Sequence, residues 1–567
     1  MRIPYSQRRL PLFTLSFRVC AALLLAFAGV ECAIPTSNDP DLILTGGSIY
    51  PLGSSDNPVA AIAIRGDRIM ALGSNEDIQS LVGENTQQME LHGNCVLPGF
   101  FDAWMDPEAL GRWSGEDLNF SRASSLEEVQ ALIRNAIPQK APGDWLIGWG
   151  WDESRWPEPV MPSHESLDAV SENRPVLLYH RNGQIAWLNG AALQAARLKA
   201  ASADPPGGRI IRRQDGSPTG ILIGSAVQAL ESVLPVIGEQ RRRNWISTGL
   251  QRAAAAGFTA VATSPLDDSS MELYAALQAE GSIPIRVRLR MRADSQVPEQ
   301  LVTPDPEALL RLTAIGVRVD GAFPSRLAAL AKPYADGEGD GMLFADRNRL
   351  RHAAEVARIT GLPLHLQVQG DRALMAALDA LGQSAGAGML LGLDLLPPGG
   401  MAPVQATGVP VAIVPLRFAN DIYSLRQRLG ETRARQAHRW RKMVAAGVPW
   451  LIASDAPAYL LRPLESIVVI MRRRDRNGYP TGGWYPDQGL GRSIALRALV
   501  GSTAMNDRGV LSPGAPADLV VWSEDLLTSD AEALMRAQAL LTMVAGRVVY
   551  SRALIALPMD SMQGQDR

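Results

Sequence analysis

Histidine and cysteine are both scarce in this chain. Three cysteines (Cys20, Cys32 and Cys95) in 567 residues exclude a disulfide framework and a cysteine-rich zinc site. Six histidines (His92, His164, His180, His352, His365 and His438), with none between His365 and His438, leave little imidazole nitrogen for gripping a transition metal. Neither sign of charge is in excess. The 55 Lys and Arg against 58 Asp and Glu give a formal net charge of −3, and the two signs are interspersed. That excludes the basic stripe of a nucleic-acid binder and the acidic tail of a charge-driven partner.

A membrane-spanning apolar run is lacking too. The stretch Val19 to Val30 (VCAALLLAFAGV) holds about a dozen residues where a spanning helix needs about 20. It follows Arg2, Arg8, Arg9 and Arg18 and ends on Ala26-Phe-Ala28, a small-x-small cleavage pattern. Residues 1–28 therefore read as an export signal, with a short uncleaved anchor as the alternative. The expectation is an exported chain, periplasmic or extracellular, that touches a membrane only through this N-terminal segment. Whether Cys32 is lipidated stays open.

What is present suits a soluble globular protein with a large core, at 46% apolar and 20% charged residues. The length fits one very large domain or two to three ordinary ones. Between Asp41 and Val96, short apolar runs are broken by Gly46-Gly47 and Gly66-Asp67, which are hairpin-type turn signals. The far end repeats the pattern in GVLSPGAPADLVVW and LTMVAGRVVY. Residues 40–95 and 508–555 are thus expected to build one small composite β-sandwich. The middle, residues 96–507, alternates strand-like runs (PVLLYHRNG, GFTAVATS, IPIRVRLRM, IGVRVDG, LPLHLQVQGD, VPVAIVPL, VPWLIASDAP) with helical segments such as NRLRHAAEVARITG that end at glycine. About eight such units predict an α/β fold, a (β/α)8 TIM-like barrel. A Trp-, Pro- and Gly-rich region is expected to form an insertion near 120–250.

The motifs VLPGFFDAW (96–104), WLIGWGWDESRWP (145–157), NGQIAWLNGAAL (182–193), DGAFPSRLAAL (320–330), QGDRALMAALDAL (369–381), AGVPWLIASDAP (446–457) and LSPGAPADLVVW (511–522) occur in an order that resembles the amidohydrolase superfamily, specifically amidohydrolase family 3. The resemblance covers nearly everything after the signal. It implies the barrel, the composite sandwich, and metal-assisted hydrolysis of non-peptide C–N bonds in small molecules. In that chemistry a divalent cation at the C-terminal mouth of the barrel lowers the pKa of a bound water. Imidazoles and carboxylates hold the ion, and an Asp on the last strand takes the proton.

Carried over residue by residue, the resemblance meets substitutions. The His-x-His of the first strand falls on Trp104 and Asp106. A bridging ligand falls on Gly316 or, with a small gap, Arg318. The next His is Gln367, the one expected near Leu390 to Leu396 has no counterpart, and the substrate-region His is Gln184. Only the last-strand carboxylate, Asp455, is kept, as the candidate catalytic base. Asp106 and Asp455 remain as metal ligands, an oxygen-only set that binds Ca²⁺ or Mg²⁺ weakly if at all. No cofactor is therefore expected, and metal-dependent turnover is expected to be reduced or lost. The alternative is a non-catalytic binder of a small ligand or a protein partner. Oligomeric state is left open.

Other residues carry two readings each. Trp104, Gln184, His180, Asp320 and Gln367 are candidates for lining a substrate site. His180 ends a strand that could reach the mouth. Asp320 either lines the mouth or caps a turn. His365 alternates with Leu364 and Leu366 and lies about 6.6 Å deeper than Gln367, so it reads as a hydrogen-bonded interior histidine. His92, His164, His352 and His438 read as loop or helix-surface residues. Asp102 reads as structural, and Asp371 with Arg372 as a salt-linked pair or scaffold. The group Trp145, Trp149, Trp151, Trp156 and Trp187 either lines an apolar cleft or packs the insertion.

Overall fold

The computed structural model describes residues 38–552, apart from 116, 142, 338, 385–387, 398 and 502–508. The expected export signal, Cys20 and Cys32 lie outside the described residues. No helix among those described is long and apolar enough to cross a membrane.

The centre is an eight-stranded sheet whose strands follow one another in chain order. They are β1 (Phe100–Met105), β2 (Phe258–Leu266), β3 (Arg286–Met291), β4 (Leu310–Arg318), β5 (Leu364–Gln367), β6 (Gly388–Leu391), β7 (Val411–Ile413) and β8 (Trp450–Ile452). Every neighbouring pair is parallel. The sheet closes on itself just past β8, where Met105 bridges Ala456 and the Asp455 N–H donates to the Trp104 carbonyl at 2.9 Å. This is the TIM-like barrel that the alternating pattern predicts. Its strands are short and almost wholly buried, as parallel strands covered by helices must be. One connection departs from the pattern, since β3 and β4 are joined through a 3-10 turn, Glu299–Leu301, rather than an α-helix.

Helix ends follow the local chemistry. Asp346 caps Arg347–Thr360 by accepting from the Arg349 N–H, and Gly361 ends it in the left-handed region at φ 69°. The helix Pro107–Arg112, which follows β1, lies against Glu239–Ala255 at very close range. A Cβ on Gly111 would come 1.9 Å from the Trp245 carbonyl oxygen, and one on Gly249 1.9 Å from that of Pro107. That contact sets the position of Asp106 at the start of the first helix.

Two smaller sheets from the chain ends pack face to face. One is ordered Arg68–Gly73, Ala61–Arg65, Leu42–Thr45, Gln87–Glu90, and the other Ser48–Ile49, Cys95–Pro98, Leu519–Trp522, Ala539–Val544, Arg547–Ser551. Leu44, Ile62, Ile64, Leu519, Val521 and Leu541 share their core. Gly66-Asp67 is the two-residue turn of an antiparallel pair. Gly46-Gly47 instead carries the chain from one sheet to the other, because the strand after it is hydrogen-bonded to Cys95–Pro98.

The insertion between β1 and β2 forms a six-stranded sheet of its own. Val176–His180, expected from its apolar run among the barrel strands, belongs here and pairs with Leu146–Trp151 and Ile185–Leu188. Phe120, Trp151, Trp156 and Trp187 form its core together with Leu327 and Phe344 from the loop after β4. The insertion is thereby docked over the C-terminal end of the barrel.

Candidate functional site

A cavity of about 520 Å³ lies between the strand ends and the insertion, within the size range of small-molecule sites. The barrel contributes Trp104 and Asp106 after β1, Ser264 and Pro265 on β2, Arg292 after β3, Gly316 to Arg318 on β4, and Asp455 to Ala458 after β8. The insertion contributes Trp113, Tyr179, the hairpin tip Asn182 to Gln184, and Gly224 with Ser225; Phe344, Arg349 and His352 close one side. Trp113 is held by stacking on Trp149, with ring centroids 4.8 Å apart and planes 13° apart, and Trp149 Nε1 donates to the Trp113 carbonyl.

The chemistry at the floor is dominated by arginine. Arg417, in the helix Pro415–Asp421 after β7, is fully buried and donates to Asp394 at 2.8 Å and to Asp455 Oδ2 at 2.9 Å. Burial works against its charge, but Asp394 and Asp455 outweigh that and hold its pKa well above the ordinary value. Gln367 Nε2 adds a 3.4 Å contact to the same Asp455 oxygen. Behind Arg417, His438 Nδ1 lies 3.5 Å from Asp394 and Nε2 lies 4.0 Å from Asp421. Burial and the nearby Asp394 push the Asp421 carboxyl well up.

Arg290 on β3 fills the space beneath the mouth. It donates to the carbonyls of Thr263 (2.7 Å) and Ala103 (2.6 Å) and to His365 Nδ1 (2.7 Å), and its guanidinium lies 4.6 Å over the Trp104 ring. Burial pulls Arg290 down to about 9, with Asp102 opposing. Burial, then the Arg290 charge, holds His365 well below its usual range, so it is neutral and accepts. It is the hydrogen-bonded interior histidine that its alternation implies.

The remaining candidates fall as follows. Asp106 caps the first helix: Oδ1 accepts from the Ala109 N–H at 2.9 Å and Oδ2 from Ser264 Oγ at 3.0 Å. Gln184 lines the cavity and accepts from the Ala322 N–H at 3.2 Å. Asp102 accepts from the N–H groups of Trp104 and Ser454, tying the first strand to the last, and burial raises it to about 6. Some placements depart from the sequence reading. Asp320 does not line the cavity: it is fully buried and accepts from the N–H groups of Ala329, Gln369 and Gly370 at 2.8–2.9 Å, so it caps the loops after β4 and β5. Burial raises it to about 7 against those three hydrogen bonds. His438, read as a surface residue, is buried, and exposed His352 lines the cavity. Asp371 and Arg372 are scaffold with separate partners, the Ala331 N–H and Asp340.

His180 lies beside the cavity rather than in its lining. With Asp152 and Glu153 it forms a buried trio whose ligand-type atoms all lie within 4.8 Å of one another. Its Nε2 is 3.2 Å from Glu153 Oε2 and 3.7 Å from Asp152 Oδ1, and Arg181 Nε is 3.7 Å from Asp152. Burial alone lowers the imidazole, but the hydrogen bonds and charges of Asp152 and Glu153 push it up to about 10. Two cations therefore already balance two carboxylates. The trio has the donor types for a metal, and a bound ion would have to displace the imidazole proton.

The family resemblance implies a divalent metal at the mouth, and the donor set there does not fit one. Asp106 accepts through Oδ1 from the Ala109 N–H and through Oδ2 from Ser264 Oγ, Asp455 is paired with Arg417, and Gln367 offers only a neutral amide oxygen. A side chain at Gly316 would meet Pro265 Cγ at 2.6 Å. The Arg290 and Arg417 guanidiniums bring positive charge to the region that an ion would occupy.

Comparisons with known proteins agree with the architecture. Protein LONG AFTER FAR-RED 3 of Arabidopsis thaliana is 26% identical over 545 residues, covering 90% of this chain and 91% of the relative. The N-substituted formamide deformylase of Arthrobacter pascens is 24% identical over 550 residues, covering 90% and 98%. The crystal structure of an uncharacterized metal-dependent hydrolase from Pyrococcus horikoshii superposes with a TM-score of 0.70 at 22% identity, covering 87% of this chain and 99% of that one. A family model, Amidohydro_3, described as "Amidohydrolase family", matches residues 87–550. The chain belongs to the amidohydrolase family.

Proposed function

We propose that this chain uses the family-3 amidohydrolase architecture to bind a small molecule at the barrel mouth, with metal-dependent hydrolysis of C–N bonds there reduced or lost. The observation that carries this reading is Arg417, buried between Asp394 and Asp455. The carboxylate best placed to act as a base is engaged by a fixed cation, and the positions where the resemblance expects imidazoles hold Trp104, Asp106 and Gln367. The cavity supports binding, with indole and phenol rings on one wall and polar groups on the other. The expected setting is outside the cytoplasm, by export through the N-terminal segment.

A second reading keeps turnover, because Asp455 still lines the cavity and a relative is named for deformylating N-substituted formamides. One experiment separates the two. Protein purified without chelator is assayed for bound metal by elemental analysis and for hydrolysis of N-substituted formamides with and without added Zn²⁺ or Mn²⁺. We expect less than about 0.1 metal per chain and no metal-dependent rate. A stoichiometric transition metal, with turnover lost in Asp455→Asn, would establish the second reading.

A further inference from the structure

Most charged groups that line the cavity are already spoken for. Asp106 is held by the Ala109 N–H and Ser264 Oγ, and Asp455 by Arg417. Arg292 lies 3.9 Å from Asp267, and Arg349 donates to the Phe344 carbonyl at 3.3 Å. Arg318, at the C-terminal end of β4, is different. Its side chain is half-buried in the cavity wall, yet among the described residues it makes no hydrogen bond and no ion pair. Asp455 and Asp106 favour its charge only at longer range, and burial still lowers its pKa. A partly desolvated guanidinium with five N–H donors and no acceptor is poised for an oxyanion.

We propose that Arg318 is the recognition group for the carboxylate of a small aromatic acid, whose ring lies against Trp113 and Tyr179. This rests on reading the mouth as a ligand site. Charge selects the class. One uncompensated guanidinium matches a monoanion, whereas the second charge of a phosphate dianion would meet no further free guanidinium among the described residues and would add to the repulsion from Asp106, Asp294 and Asp455 in the same cavity. Shape selects the body. Trp113 is stacked rigidly on Trp149 and lies 6.4 Å from Tyr179, giving a fixed aromatic surface, which favours a flat ring at small entropic cost. Arg318 stands on a barrel strand and the rings on the docked insertion, so a bound acid would span the two.

The test uses the full mature chain with benzoate and indole-3-acetate as probes, and benzamide and indole-3-acetamide as neutral isosteres, followed by tryptophan fluorescence and thermal shift. We expect the acids to quench fluorescence and raise the melting temperature, and the amides to bind at least tenfold more weakly. Arg318→Met should lose the acid preference while its unliganded melting temperature stays at or above the parent value, since no partner is left behind. Arg318→Lys should restore part of it. Acids and amides that behave alike, or an Arg318→Met variant that keeps the preference, would overturn the assignment. Metal content read on the same samples keeps failure of this proposal separate from failure of the ligand-site reading.

Discussion

The sign of the stability change in Asp455→Asn separates an ion-pair partner from a free catalytic base. A base held ready in a cavity is commonly a source of strain, and neutralising it costs nothing or stabilises. Here Asp455 Oδ2 accepts a 2.9 Å charged hydrogen bond from Arg417. Hydrogen bonds to charged groups contribute about 1.5–3 kcal/mol, and the Asn variant should lose most of one such bond while Arg417 keeps Asp394. Arg417→Met goes further. It leaves Asp394, which is buried, and Asp455 without their cation, and removing one partner of a buried pair costs about 3–5 kcal/mol. For 567 residues, an unfolding entropy of about 2.1 cal/mol/K per residue converts 1 kcal/mol into roughly 1 °C. The expected falls in melting temperature are therefore about 1–3 °C for Asp455→Asn and about 3–5 °C for Arg417→Met. The double variant should fall short of their sum by the shared interaction. Differential scanning calorimetry on the four proteins reads all of this. An Asp455→Asn protein as stable as the parent, or more stable, would refute the ion-pair account and return Asp455 to the role of free base.

Two further outcomes are expected. His180 titrates near 6.5 when unfolded and at about 10 when folded, so its stabilisation is complete below about 6.5 and is lost as pH rises through about 10. Urea midpoints between pH 6 and 10 should therefore decline, and His180→Gln should flatten the decline; an unchanged slope would show that the Asp152–Glu153–His180 trio is not the source. Trp104→His with Asp106→His should not bring back a metal, because Arg290 and Arg417 remain. It should also lower stability, since an N-cap contributes about 1 kcal/mol and a desolvated cation–π contact about 2. One equivalent of zinc in that variant, by elemental analysis, would contradict the electrostatic argument.

The barrel was legible because period and punctuation are local properties. GFTAVATS, LPLHLQVQGD and VPWLIASDAP each carry a short apolar run between glycine or proline signals, and each is a barrel strand. Val176–His180 carries the same signal and sits in the insertion sheet, since an apolar run records burial and not which sheet buries it. That positions 104, 106 and 367, where the resemblance expects imidazoles, hold Trp, Asp and Gln is equally plain. The replacement cations are not. The resemblance brings in Arg318 only as one of two positions for a bridging ligand, and nothing in the spacing marks Arg417. One signal for Arg290 was available: IPIRVRLRM places Arg286, Arg288 and Arg290 in a strand that a barrel buries, where a charge must find partners.

By itself the sequence determined the family, the eight-fold alternation and the two β-rich ends, because all of these are set by residue type and spacing along the chain. Only the tertiary structure decided that Asp320 caps backbone instead of facing a ligand, that His180 is balanced by Asp152 and Glu153, that Arg417 engages Asp455, and that Arg318 is left without a partner among the described residues. A side chain's charge is written in its identity, but whether that charge is compensated depends on groups tens to hundreds of residues away that folding brings within about 3 Å.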